Sequence, residues 1–324
     1  MAYEFRANET VPEALRRCAR EQLDRASYEL THEIRSDPVE AVHAARKAIK
    51  KERALLRLGR AALPSRRRGR ENSALRNAAR RMAAARDSEV VVQSLDQLAE
   101  RYAGQLPAST FDAARTRLEL DRDAQIAETS PVSSADEAAE QIRAVRLRVD
   151  SWRLKGEGWS AIEPGLSRTY SEGRRAFRRA RKSSSLEDLH AWRKRVKDLW
   201  YELRLLSPVC GPIIAGGAEE ADRLGELLGS EHDLGLLKQA LIRKAPEVPT
   251  HLDALIALVE YRREQLRRQA FLVGKRLYNE PTSDFTRRLR KCWDAGRAEY
   301  QELEASRPGK PGQTAHAADR APQA

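Results

Sequence analysis

Two stretches of this 324-residue chain can be laid one on the other: VHAARKAIKKERALLRL (Val42 to Leu58) and LHAWRKRVKDLWYELRL (Leu189 to Leu205). His, Arg, Lys, Lys, Leu, Arg and Leu stand in register, with His43 against His190 at an offset of 147 residues. Further on, ARDSEVV (Ala85 to Val91) lies against EHDLGLL (Glu231 to Leu237), with Asp87 against Asp233 at an offset of 146. Two landmarks at nearly one offset point to an internal duplication. They predict two homologous halves, about 1–128 and 159–296, joined by a linker over 129–158. The remaining 297–324 holds the end of the last helix and a Pro, Gly, Gln and Ala mixture that reads as a disordered tail.

Each half is expected to be helical. Ala, Leu, Arg and Glu fill most windows and lose little on entering a helix, while breakers are few, with 14 Pro and 17 Gly. Only Glu89 to Gln93 reads as rich in strand-forming residues. Helix starts are written at Asp37-Pro38-Val39-Glu40 and, in Ser-x-x-Glu form, at Ser184-Ser185-Leu186-Glu187, each six residues before its histidine. Stops are read at Gly59 to Pro64 and at Ser207 to Pro212.

At about 100° per residue, His190, Arg193, Lys194, Lys197, Tyr201 and Arg204 share one face, and Leu189, Trp192, Val196, Leu199 and Leu203 share the opposite one. The first copy repeats this with His43, Arg46, Lys47, Lys50 and Arg57 against Val42, Ala45, Ile49 and Leu56. Lys51, Arg53 and Arg195 fall off the stripe. One reading is the solvated face of an amphipathic helix. The other is a binding face, since neither stripe contains an acid and like charges at i,i+4 repel. Forked Arg donors and mobile Lys charges repeating every turn suit a linear polyanion. On this reading both histidines donate when protonated, and binding strengthens as pH falls through the histidine range. Arg86-Asp87 and His232-Asp233 follow apolar helical runs, so the two aspartates are expected either to orient cations as supporting acids or simply to cap and pair at the surface.

Composition narrows the partners. Lys and Arg number 60 against 48 Asp and Glu, a formal charge of +12, which favours nucleic acid, an anionic membrane surface or a phosphate polymer. No run approaches the ~18 apolar residues of a membrane span, and the start of the chain has no apolar leader core. The three cysteines, Cys18, Cys210 and Cys292, follow no metal-ligand spacing and read as reduced thiols of a cytoplasmic protein. There is no phosphate-binding Gly-rich loop, no HExxH and no acid cluster for Mg²⁺, so no metal, cofactor or enzymatic activity is expected.

The H-x-x-R-K-x-x-K motif in both halves, the RD and HD segments, and PGLSRTYSEGRRAFRRA (Pro164 to Ala180) together resemble the CHAD family, the conserved-histidine α-helical domain, over roughly residues 5 to 296. The resemblance implies an all-α fold of two pseudo-symmetric antiparallel helical bundles, with long helices around a basic groove or pore. It also implies non-enzymatic binding of inorganic polyphosphate, sometimes with targeting to polyphosphate granules. Carried over by position, the phosphate contacts are His43, Arg46, Lys47, Lys50, Arg57 and Arg86, and His190, Arg193, Lys194, Lys197, Tyr201, Arg204 and His232. Tyr170 and Arg174 come from the second-half opening. Ala54 stands where the second copy has Tyr201, and Leu228-Gly229 has no first-half equivalent, so weaker binding is expected in the first half. A triphosphate-tunnel hydrolase fused to some relatives is not indicated, because its Glu-x-Glu-x-Lys signature is missing. Nucleic-acid binding and, behind it, phosphate-chain hydrolysis are the alternatives kept; few aromatic residues fall on the stripe to stack bases.

Overall fold

The computed structural model describes residues 3–82, 84–128, 131–243 and 251–306, with the side chains of 84–87, 125–128 and 131–133 outside the description. The expectation of a disordered tail falls on 307–324 and lies outside the described residues. Among those described there is no strand; the chain forms α1 (Val11–Thr31), α2 (Pro38–Leu58), α3 (Ser65–Arg81), α4 (Ala84–Arg101), α5 (Ala108–Glu128), α6 (Pro131–Val149), α7 (Glu163–Ser183), α8 (Leu186–Cys210), α9 (Pro212–Arg243), α10 (Leu252–Leu277) and α11 (Thr282–Ala305). The all-α expectation holds.

Local chemistry explains the boundaries and corrects several of them. Asp37 caps α2, its carboxylate accepting from the Glu40 N–H at 3.0 Å, with Pro38 as the first helical residue. In α8 the cap is Ser185, which accepts from the Asp188 N–H at 3.2 Å, while Ser184 ends α7 with a left-handed φ of 48°. The second cap therefore sits five residues before its histidine, not six. The stop read at Ser207 to Pro212 holds: α8 continues through Pro208 to Cys210 and ends at Gly211, φ 76°. Glu89 to Gln93 lie inside α4: the apolar residues Val91, Val92, Leu95 and Leu98 recur at helical spacing and are buried together. The linker expected over 129–158 carries α6, begun by Pro131 and packed on α1 and α3, so among its described residues the irregular stretch is the one before α7.

A shift of 147 residues sets α1 on α7, α2 on α8, α5 on α10 and α6 on α11, and sets α3 and α4 together on the single 32-residue helix α9. This correspondence supports the duplication, which we keep as a proposal. The apolar cores do not follow the two halves. One gathers α1, α2, α3 and α6 with α7, α8, α11 and the adjoining ends of α9 and α10; the other joins α4 and α5 to the far ends of α9 and α10. Residues 3–10 strap the α2 and α8 regions together. Tyr3 and Phe5 are buried, the Tyr3 hydroxyl donates to the Lys51 carbonyl at 2.6 Å, and the Phe5 N–H donates to the Leu205 carbonyl at 2.8 Å.

Four glutamates are fully buried in this structure, and they are held differently. Glu71 accepts from Arg148 Nε at 2.9 and 3.0 Å, and Glu231 accepts from Arg263 at 2.7 Å. Glu202 accepts from the Thr169 hydroxyl at 2.8 Å, whereas neither Glu52 oxygen has a hydrogen-bond partner among the described residues. Burial pushes the carboxyls of Glu52 and Glu202 well above the usual range, so both stay protonated where an exposed glutamate ionises. Such a group favours the folded state fully below its unfolded pKa, and that contribution is lost as pH rises toward the folded pKa. Glu52→Gln removes this titration, so the variant should gain on the native chain by a few degrees in thermal midpoint as pH rises from about 5 to about 9. Parallel melting curves across that range, followed by circular dichroism, check it.

Candidate functional site

The helix caps and apolar faces of α2 and α8 fix where their cations point. Leu189, Trp192, Val196, Leu199 and Leu203 are buried in the large core, as are Val42, Ala45, Ile49 and Leu56, so the opposite faces are left to the charged residues. Of the expected contacts, Lys47, Lys50, Lys194 and Arg204 are exposed and His43, His190, Arg193 and Lys197 are half-buried. The two stripes come together. The cations bearing on His190 are Lys194 and Arg193 of its own helix and Lys50 of α2, and Arg53 of α2 bears on Lys194.

Neither stripe is left without acids once the chain folds, because neighbouring residues supply them. Arg57 Nη1 donates to Asp198 Oδ1 at 2.9 Å, linking α2 to α8, and Arg195 reaches the same carboxylate at 3.1 Å. Burial pushes the Asp198 pKa up despite these partners. Lys197 Nζ donates to Asp222 of α9 at 2.9 Å and stands 4.2 Å from the centre of the Trp200 ring, with Arg204 on the same ring at 5.9 Å. Space for these side chains comes from glycine. A Cβ at Gly225 would stand 2.7 Å from Lys197 Cε, and one at Gly229 would stand 3.3 Å from an Arg193 guanidinium nitrogen.

The first half solves the same problem differently. The positions 147 residues before Gly225 and Gly229 are Ala78 and Met82, and there the helix breaks between α3 and α4. That break exposes carbonyls, and Arg46 Nη1 donates to those of Ala79 at 3.0 Å and Met82 at 3.1 Å. In α9 the helix runs on and consumes the equivalent carbonyls.

Histidine does not behave as expected from the sequence. His190 stacks on His232 of α9 with ring centres 4.3 Å apart, and neither Nδ1 has a hydrogen-bond partner among the described residues. Burial, followed by Lys194, Arg193 and Lys50, lowers His190 to about 4; burial, followed by His190 and Arg193, lowers His232 to about 4. Both imidazoles are therefore neutral through the ordinary histidine range. The standing charge comes from lysine and arginine. Lys51, off the stripe by spacing, is lowered to about 8 by burial and then by Arg204 and Lys47, and it lies 5.3 Å over the Tyr3 ring.

Some expected contacts lie elsewhere. Tyr201 is buried beside Tyr3 and Trp200, and Tyr170 is buried with its ring stacked 3.8 Å from Phe285 and its hydroxyl donating to the Leu277 carbonyl at 3.2 Å. Each is a core side chain rather than a surface contact. Arg174 Nε donates to the Tyr278 carbonyl at 3.2 Å, binding α7 to the end of α10. Asp233 lines a mixed-charge groove of about 580 Å³ with Arg101, Arg262 and Glu100, between α4, α9 and α10. The side chains of Arg86 and Asp87 lie outside the described residues.

Sequence reasoning missed Arg175 and Arg179 of α7, which line a groove of about 430 Å³ with His190, Lys194 and Arg195. Their i,i+4 spacing was a readable signal, but nothing in the sequence says that α7 lies against the cationic side of α8. Among the described residues, no group of three or more His, Cys, Asp or Glu residues is placed to hold a metal ion.

A sequence model described as the CHAD domain matches residues 17–242. Among solved structures, the crystal structure of the CHAD domain from the plant Ricinus communis is similar, at 17% identity and a TM-score of 0.56, covering 92% of this chain and 95% of that one. At that identity the likeness is one of fold. No curated protein matches the sequence.

The neutral histidines give a direct check. In the free protein, the ring resonances of His190, assigned by comparison with His190→Gln, should titrate by NMR with a midpoint near 4. A midpoint at the ordinary value of about 6.5 would show that neither burial nor the surrounding cations act on the ring.

Proposed function

The chain belongs to the CHAD domain family, and from that premise we propose that its joined cationic stripes bind inorganic polyphosphate without transforming it. One observation carries the reading: cations from α2 and α8 crowd a single region, where Lys194, Arg193 and Lys50 bear on His190 and add to the burial that holds it neutral. A repeating anion relieves that repulsion at every phosphate and releases condensed counterions, as polyanion binding does elsewhere. Gly225 and Gly229 support it as well, since they give Lys197 and Arg193 room between helices, where a larger residue would displace them. Tunnel or nucleotide chemistry finds no support in the residues, so binding rather than turnover is the proposed activity. A cytoplasmic location with association to polyphosphate granules belongs to the same proposal; no described helix is long and apolar enough to cross a membrane.

Proton linkage follows from the histidines. Phosphate beside His190 and His232 raises their pKa in the complex, so affinity increases as pH falls below about 6.5 and levels off near 4, where the free protein is itself protonated. Calorimetry with long-chain polyphosphate at two or more salt concentrations tests the whole reading. Binding should weaken steeply with salt, Lys50→Ala and Lys194→Ala should each reduce affinity about five- to tenfold, and each should lower the salt slope by roughly 0.7 to 0.9. A folded protein that shows no binding, or binding that RNA displaces at equal phosphate, would overturn it.

A further inference from the structure

We propose that the C-terminal half of α7 is a second leg of the polyanion track, reached only by long chains; this rests on the polyphosphate reading above. The sequence Arg174 to Lys182, RRAFRRARK, places five cations beyond the stripes: Arg175, Arg178, Arg179, Arg181 and Lys182. These five alone line a surface concavity of about 540 Å³. Arg175 and Arg179 also line the neighbouring groove that contains His190 and Lys194. The two hollows share two side chains, so cations connect the stripe of α8 to the end of α7, with Glu172, which is paired with Arg195 and Arg168, and Glu187 at the edge of the first hollow.

Ordinary explanations account for only part of this cluster. Lys182 and Arg181 sit in the last turn, where cations stabilise a helix C-terminus, and Arg181 lies 5.7 Å over the Phe177 ring. Arg175 and Arg178 are a turn or more earlier and gain little from the dipole. Arg179 has one loose acid partner, Asp188 at 3.7 Å. No ion pair is made by Arg175, Arg178, Arg181 or Lys182 among the described residues. The shared scaffold does not demand the cluster either. At the positions 147 residues earlier, α1 and the turn that follows it carry Tyr28, Thr31, His32, Ile34 and Arg35. The extension therefore belongs to one half, and it makes the track one-sided.

A polymer seated on the stripes with length to spare would lay its next phosphates on this second leg. A short chain would be fully accommodated before reaching it. The geometry thus assigns chain-length selectivity to α7 rather than to α2 or α8.

The test compares tripolyphosphate with long-chain polyphosphate on the full chain carrying Arg178→Gln, Arg181→Gln and Lys182→Gln, with circular dichroism as the check of folding. Glutamine keeps helix propensity. Long-chain affinity should fall about tenfold or more and the salt slope by roughly 2 to 3, while tripolyphosphate affinity stays within twofold of the unaltered chain. The control is Arg287→Gln, Arg290→Gln and Lys291→Gln on α11, which removes the same charge and should leave both affinities in place. An unchanged long-chain affinity, an equal loss for both ligands, or an equal loss in the control would overturn the assignment and leave polyphosphate binding standing. If the unaltered chain binds neither ligand, the underlying reading fails as well.

Discussion

Cations that repel one another are held at close range on α2, α7 and α8, and the surrounding structure is arranged to sustain that constraint. The Arg57–Asp198 pair ties the first stripe to the second helix, Asp222 steadies Lys197, and Glu172 takes Arg195 at 2.9 Å. A partly exposed pair such as Lys197–Asp222 contributes little by itself. The effect of these pairs here is positional, since they fix which cations turn inward and which face solvent. Beneath them, the strap through Tyr3 and Phe5 keeps α2 and α8 from separating. The folded chain thereby stores a local excess of positive potential that the sequence stripe only hinted at.

Periodicity made most of the fold legible. Apolar spacing in α2 and α8 identified their buried faces, and the repeated histidine motif located equivalent helices in both halves. What stayed hidden depended on contacts between helices. Tyr201 falls on the cationic arc of a helical wheel, yet Tyr3 and Trp200 enclose it, because the N-terminal strap covers that end of the stripe. Lys51 falls off the arc and nevertheless lies close enough to the cluster for Arg204 of α8 and Lys47 to add to the burial that lowers its pKa. Polar letters misled over 131–149, where Asp136, Glu137 and Glu140 face solvent while Ala135, Ala138, Ala139 and Ile142 pack inward. A wheel describes one helix, whereas these outcomes needed two or three.

The two halves are alike in element order and unlike in chemistry. Where α3 stops and α4 begins, Arg46 turns to bare carbonyls; where α9 runs on, Arg193 lies on glycine instead. One side thus commits part of an arginine fork to backbone carbonyls, and on the other side Arg193 bears on the stacked histidines. Burial, with the neighbouring cations adding to it, keeps His190 and His232 neutral, so permanent cations set the potential and the imidazoles answer only when an anion arrives.

The uninterrupted α9 has a mechanical consequence. Ile214, Leu224 and Leu228 lie in one apolar core and Leu234, Leu237 and Leu241 in the other, while α10 returns from Leu255 and Val259 in the second to Ala270 and Val273 in the first. These two helices work as a pair of girders crossing both compartments. Loosening either compartment strains the same beams, so the unfolding of one core is expected to be coupled to that of the other.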